Sequence, residues 1–305
     1  LYYSKYVVIF IKFYLLKSIM IEIILIIVII TALIIASITD IKTREVPDWL
    51  NYSLIISGLA ISLIYSLITS NWLFFGYSVS GALIFLIFAY LMFYTAQWGG
   101  GDSKMLIGLG ALIGFNFSYT SLLVTFIINI LLVGAVYGMV WSFVLVVSNF
   151  KKFSKEAGRL LKNRRIVIVK RIFLGISVLV LGYLIIVKDV MLSMMMVSLL
   201  TITFLTLYLW VFIKAVEKVC MLKYVEPEQL TEGDWIAKEV KIKGEYITGP
   251  KDLGIEKEQI HKLIKLKEKG KIGKVLIKIG MPFIPVFLMA YIVSLIWGNL
   301  ILGLL

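Results

Sequence analysis

Apolar residues run almost unbroken through most of this chain, interrupted at intervals by short polar clusters. A helix needs roughly 18–20 predominantly apolar residues to cross a bilayer. The first clean run of that kind is 21–38. A polar cluster from Thr39 to Trp49 separates it from a second run at 50–68, and the uncharged turn Ser70-Asn71 separates that from a third at 75–96. Three glycines, Gly99, Gly100 and Gly101, then Asp102, precede a shorter fourth run at 103–115. Further spans are expected at 122–147, 172–187, 190–213 and 282–302. The last is opened by Pro282 and Pro285, which a first helical turn tolerates. Strand-like alternation is absent, which argues against a membrane barrel.

Residues 214–279 break the pattern with mixed charge. Gly233-Asp234-Trp235 and Gly249-Pro250 read as turns, 235–242 and 275–279 as short strands, and 256–269 as an amphipathic helix. The pattern therefore predicts an all-α polytopic membrane protein of about eight transmembrane helices with a small cytoplasmic α+β module. Its expected parts are a possible upstream extension at 1–19, a transmembrane helical core at 20–213, the module at 214–280 and a C-terminal helix at 281–305. Lys5, Lys12 and Lys17 fall on the side that the other loops place outside, so Met20 rather than Leu1 is the expected start.

Composition sharpens this. Only 16% of the 305 residues are charged and 61% are hydrophobic, against about 25% charged in a soluble domain. The net charge of +13 lies in loops between spans, where it orients helices in the membrane, rather than in a basic groove fit for nucleic acid. The most basic loop, 151–171, is expected on the cytoplasmic side against anionic lipid head groups. One cysteine, Cys220, and one histidine, His261, give no disulfide framework within the chain and no expected metal or cofactor site.

Two carboxylates stand out. Counting spans and loop charges brings Asp40, at the end of the first span, and Asp102, at the start of the fourth, to the same cytoplasmic face. A paired ionised and protonated carboxyl can hydrolyse a peptide, one deprotonating water while the other polarises the carbonyl. Asp40 lies at a helix C-terminus, where the dipole disfavours negative charge, and Asp102 at an N-terminus, where backbone N–H groups favour it. Asp40 is thus the expected holder of the shared proton. The glycines let a substrate backbone approach and let the chain turn sharply. Each acid also has a plain reading: Asp102 as an ordinary helix cap and Asp40 as the first residue of a solvated loop. Lys104 reads as a snorkelling anchor, and the part played by Asp48 is open.

Gly99-Gly100-Gly101-Asp102 fits a GxGD signature, and Asp40 through Val46-Pro47 resembles the Asp-to-Pro first motif of the prepilin peptidases. The resemblance is to their archaeal members, which process preflagellin and type IV prepilin-like precursors. It implies a membrane aspartic endopeptidase, with Asp40 and Asp102 catalytic, that removes a short basic leader at the cytoplasmic face. Bacterial relatives also methylate the new N-terminus and often carry a cysteine-rich zinc insert, and this chain has neither the cysteines nor the insert. Greater length favours a pilin-processing over an archaellin-processing member, with the 214–279 module and basic loops selecting substrate. A presenilin-like protease shares GxGD but carries Tyr before its first aspartate, where Thr39 stands here. A proton-coupled transporter would use the two acids as a relay nearer the midplane, and a non-enzymatic membrane scaffold remains a third reading.

Overall fold

The computed structural model describes residues 2–186, 189–242 and 244–303, and the side chains of these from residue 19 onward. Leu1 of the possible extension, residue 187 at the end of an expected span and residues 304–305 of the expected C-terminal part lie outside the described residues. The helices are α1 (Tyr2–Thr43), α2 (Asp48–Thr69), α3 (Trp72–Tyr94), α4 (Gly100–Ile113), α5 (Leu122–Ser148), α6 (Phe150–Leu161), α7 (Arg164–Ile186), α8 (Val190–Val216), α9 (Lys257–Glu268) and α10 (Ile284–Ile296). The chain divides into two units, 1–138 with 280–305, and 139–279.

Among the described residues, six helical stretches are long and apolar enough to cross a membrane: Ile19–Thr43, α2, α3, α5, α7 and Val190–Met221. The other two expected spans are shorter. α4 has 14 residues and α10 has 13, about 20 Å at 1.5 Å per residue against a hydrocarbon core of about 30 Å. Both are inner helices of the first unit. Met105, Leu106, Leu109, Ile284, Val286 and Phe287 are fully buried there, in one cluster with Leu33 of α1 and Phe126 of α5.

Small residues let the helices around α4 approach closely, as membrane helices must when no hydrophobic gain separates protein from lipid. A side chain on Gly81 or Gly110 would meet the other residue's carbonyl oxygen, and one on Gly108 would sit 2.7 Å from Leu54. The contact levels Val46 with Gly101, Leu54 with Gly108 and Gly58 with Ala111 advance together, so α2 and α4 run parallel. Gly81 with Gly110 and Tyr77 with Gly114 run the other way, so α3 is antiparallel to α4. Ser78 and Ser80 add hydroxyl bonds to Ala111 O (2.6 Å) and Phe115 O (3.0 Å). The end of α1, the start of α2, the end of α3 and the start of α4 therefore gather at one end of the unit.

In the second unit the expected basic loop is helical. α6 carries Lys151, Lys152, Lys155 and Arg159, while Lys170 and Arg171 lie within α7. Five strands, β1 (Leu222–Val225), β2 (Trp235–Ile236), β3 (Val240–Ile242), β4 (Glu245–Thr248) and β5 (Val275–Lys278), accompany α9. They form a β1-β5-β2 antiparallel sheet and a separate β3-β4 hairpin. The single strand expected at 235–242 is thus two, because the chain leaves β5 after Ala237, whose amide donates to Leu276 O (2.8 Å), and then pairs with β4. Val225, Ile236, Ile247, Ile255, Leu263, Val275 and Ile277 close a core of the module's own.

Candidate active site

Asp40 ends the last full turn of α1 and is 5% exposed. Its Oδ2 accepts from the backbone N–H of Ile284 at 2.9 Å. Ile284 is the first residue of α10, so this amide is one of the four that a helix cannot satisfy within itself. Asp40 therefore caps a helix 244 positions away.

The next residues hold that arrangement in place. Arg44 sits at φ +62° just past the end of α1, and its guanidinium donates to Gly280 O at 2.8 Å. The two bonds, Arg44 to Gly280 and Ile284 to Asp40, pin the lead-in to α10 at both of its ends. Arg44 is also near enough to Asp40 for their charges to attract. Pro47 closes the loop as the N-cap of α2, its carbonyl accepting from Leu50 and Asn51.

Asp102 stands in the first turn of α4, and its Oδ2 accepts from the Gly99 amide at 3.4 Å. The plain reading of Asp102 as the N-cap is corrected: Gly99 is the N-cap, and Asp102, three residues on, reaches back to its amide. Asp102 does not stand alone, because Asp40 and Asp102 are near enough for the two carboxylates to repel each other. The dipole argument that gave Asp40 the proton is incomplete. Asp40 lies at the C-terminus of its own helix and also at the N-terminus of α10, whose amide favours negative charge on it.

The glycines divide their work. None of Gly99, Gly100 and Gly101 has a positive φ; the sharp turn out of α3 is made at Ala96, at φ +58°. A side chain on Gly101 would lie 3.3 Å from Val46 Cβ, so this glycine seats the loop after Asp40 against the start of α4. Gly99 and Gly100 meet nothing closer than 3.8 Å.

Trp98, 8% exposed, leads into the triplet. Its ring centroid lies 5.3 Å from those of both Phe283 and Phe287 and 5.6 Å from that of Phe88. The segment carrying Asp102 is thereby packed onto the start of α10, the same turn that holds Asp40. At the surface, Lys104 Nζ lies 2.7 Å from Asp48 Oδ1 and 5.5 Å from the Tyr52 ring centroid, so these two charges pair with each other. Sequence reasoning missed Arg44, Trp98 and Ile284. The spacing Pro282 to Pro285 was the one local sign that a helix N-terminus, with free amides, lay there.

Residues 27–149 match the type IV leader peptidase family. The match takes in both aspartates and the glycine triplet. The chain is also similar to preflagellin peptidases. It is 43% identical over 81 residues to that of Methanococcus voltae, covering 27% of this chain and 34% of the relative. It is 41% identical over 81 residues to that of Methanococcus maripaludis (27% and 35%). Against that of Methanocaldococcus jannaschii it is 40% identical over 81 residues (27% and 34%). The chain thus spans about a third of the length of the curated relatives it matches. No solved structure matches it.

Proposed function

We propose that the protein is a multi-pass membrane aspartic endopeptidase that cleaves the leader from archaellin or type IV pilin-like precursors. The observation that carries this reading is the convergence of Asp40 and Asp102 at one end of the first unit, close enough to interact and each with a backbone donor. In this mechanism one carboxylate takes a proton from water while the other, protonated, polarises the scissile carbonyl. The tetrahedral species then collapses as the new amine is protonated. Two neighbouring carboxyls sharing one proton suit both steps. Gly99 and Gly100, where a side chain would meet nothing closer than 3.8 Å, are where an extended substrate backbone approaches.

The site end of the unit carries Lys42, Arg44 and Lys104, whereas the turns at 70–71 and 114–121 carry no charge. The positive-inside tendency supports a site at the cytoplasmic face, which would meet precursors with a short basic leader. The 214–279 module and the basic residues of α6 and α7 select among precursors, and anionic lipids hold the basic helices at the membrane surface.

Membranes carrying the wild type, Asp40→Asn or Asp102→Asn are incubated with candidate pilin and archaellin precursors. Cleavage by the wild type and loss of it in both variants is the expected result. Cleavage that survives either substitution refutes the dyad.

A further inference from the structure

In the first unit, two buried side chains carry polar atoms with no hydrogen-bond partner among the described residues: Ser37 Oγ, and both Oδ1 and Nδ2 of Asn51. Asn51 is fully buried and Ser37 is 6% exposed. An unpaired buried polar group costs about 1–3 kcal/mol, and buried water is the usual remedy. Ser37 is conspicuous among its neighbours. Thr39, Ser53 and Ser57 each donate to the carbonyl three residues back, at 2.9, 2.9 and 3.1 Å, and so satisfy themselves within their helix.

Their positions place both residues at one level. Ser37 precedes Asp40 by three residues on α1, which puts it on the same face, one turn further from the helix end. On α2, Asn51 lies between Val46, which packs on Gly101, and Leu54, which packs on Gly108. Because α2 and α4 run parallel, Asn51 faces the level of Met105, one turn inward from Asp102. Two helices thus deliver a hydroxyl and a carboxamide to the layer immediately beneath the two carboxylates, within an otherwise apolar cluster containing Leu33, Met105 and Leu106.

We propose that Ser37 and Asn51 form a water-holding site beneath the dyad and keep an ordered water in line with Asp40 and Asp102. This inference deepens the peptidase reading and rests on it. Hydrolysis consumes one water per turnover, and among the apolar side chains of this cluster only polar groups such as these can hold one. Asn51 supplies two N–H donors and an acceptor, and Ser37 one donor and an acceptor, which is enough to meet a water's three or so bonds together with one carboxylate. Neither residue is a catalytic residue in this scheme; both position the water.

The test compares wild type, Asn51→Leu, Asn51→Ser and Ser37→Ala in lipid nanodiscs, with two readouts. Initial rates on a precursor are expected to show kcat falling about 10- to 100-fold for Asn51→Leu at unchanged KM, with much of it restored in Asn51→Ser. The second readout needs no activity. Brief X-ray radiolysis with mass spectrometry marks side chains next to bound water, and it is expected to oxidise the buried Met105 in the wild type but not in Asn51→Leu. Unlabelled Met105 in the wild type overturns the proposal, as does Asn51→Leu cleaving at the wild-type rate or Asn51→Ser losing as much as Asn51→Leu. If the wild type cleaves no precursor, the peptidase reading fails by itself, and Met105 labelling still reads the water site.

Discussion

The amide of Ile284 donates to Asp40 Oδ2 at 2.9 Å, so the acid at the end of α1 is held by the first turn of α10. The proposed peptidase chemistry needs the two carboxylates held in fixed relation, and a second helix holds one of them. The contacts that hold the start of α10, from Arg44 below and Trp98 beside it, are therefore part of the site's geometry.

Arg44 is the first test of that view. Arg44→Met removes the bond to Gly280 and leaves the Ile284 amide free to drift from Asp40. Cleavage is expected to fall by about 10-fold or more, since small misplacements of reacting groups cost that much. Arg44→Lys is expected to recover part of it. Rates in membranes measured beside thermal stability check this, and an unchanged rate for Arg44→Met refutes it.

Trp98 joins the segment before Asp102 to Phe283 and Phe287. Trp98→Ala empties the middle of this aromatic cluster and is expected to cost about 3–5 kcal/mol, with loss of cleavage. Trp98→Phe keeps the ring contacts and is expected to retain both stability and activity to a large degree. Thermal unfolding in detergent followed by activity assay distinguishes the two.

Ala96 makes the turn out of α3 at φ +58°, a conformation that costs a residue with a Cβ about 1–2 kcal/mol. Glycine relieves that cost and gives back about 0.5–1 kcal/mol in chain entropy. Ala96→Gly is therefore expected to raise stability by about 0.5–1 kcal/mol, with cleavage kept. A lower melting temperature for this variant contradicts the turn as described.

In the module, Lys267 Nζ lies 2.8 Å from Glu226 Oε2 and 2.7 Å from Glu228 Oε2. Bonding to Lys267 holds both carboxyls below their usual range, and the two carboxylates hold Lys267 above its own. The carboxylates' contribution is present above the unfolded value of 4.5 and is lost as pH falls through their lower folded values. That of Lys267 is present below its unfolded 10.5 and is lost as pH rises through the higher folded value. Lys267→Met is expected to lower stability slightly near neutral pH, where both contributions are present, and to leave it unchanged in acid, so that the acid limb flattens; the effect is small because the groups are partly exposed and screened. Thermal melts of the full chain across acid pH measure this.

Much of the site was legible from residues alone. Asp40, Asp102 and their common face followed from span counting, because loop charge and a bilayer's thickness leave a chain few ways to thread. The end of the last helix did not follow: the apolar run at 282–302 is helical in α10 only to Ile296, and hydropathy alone does not mark where a helix stops.

The sequence by itself determined a helical membrane chain with two acids brought to one edge, since hydropathy and charge act locally and sum along the chain. Only the tertiary structure decided what touches those acids. The Ile284 amide, the Arg44 bond to Gly280, the Trp98 cluster and the unpaired Ser37 and Asn51 join segments as much as 244 positions apart. A backbone amide has no residue identity to read, and a buried polar group reveals its need of a partner only when its neighbours are in place.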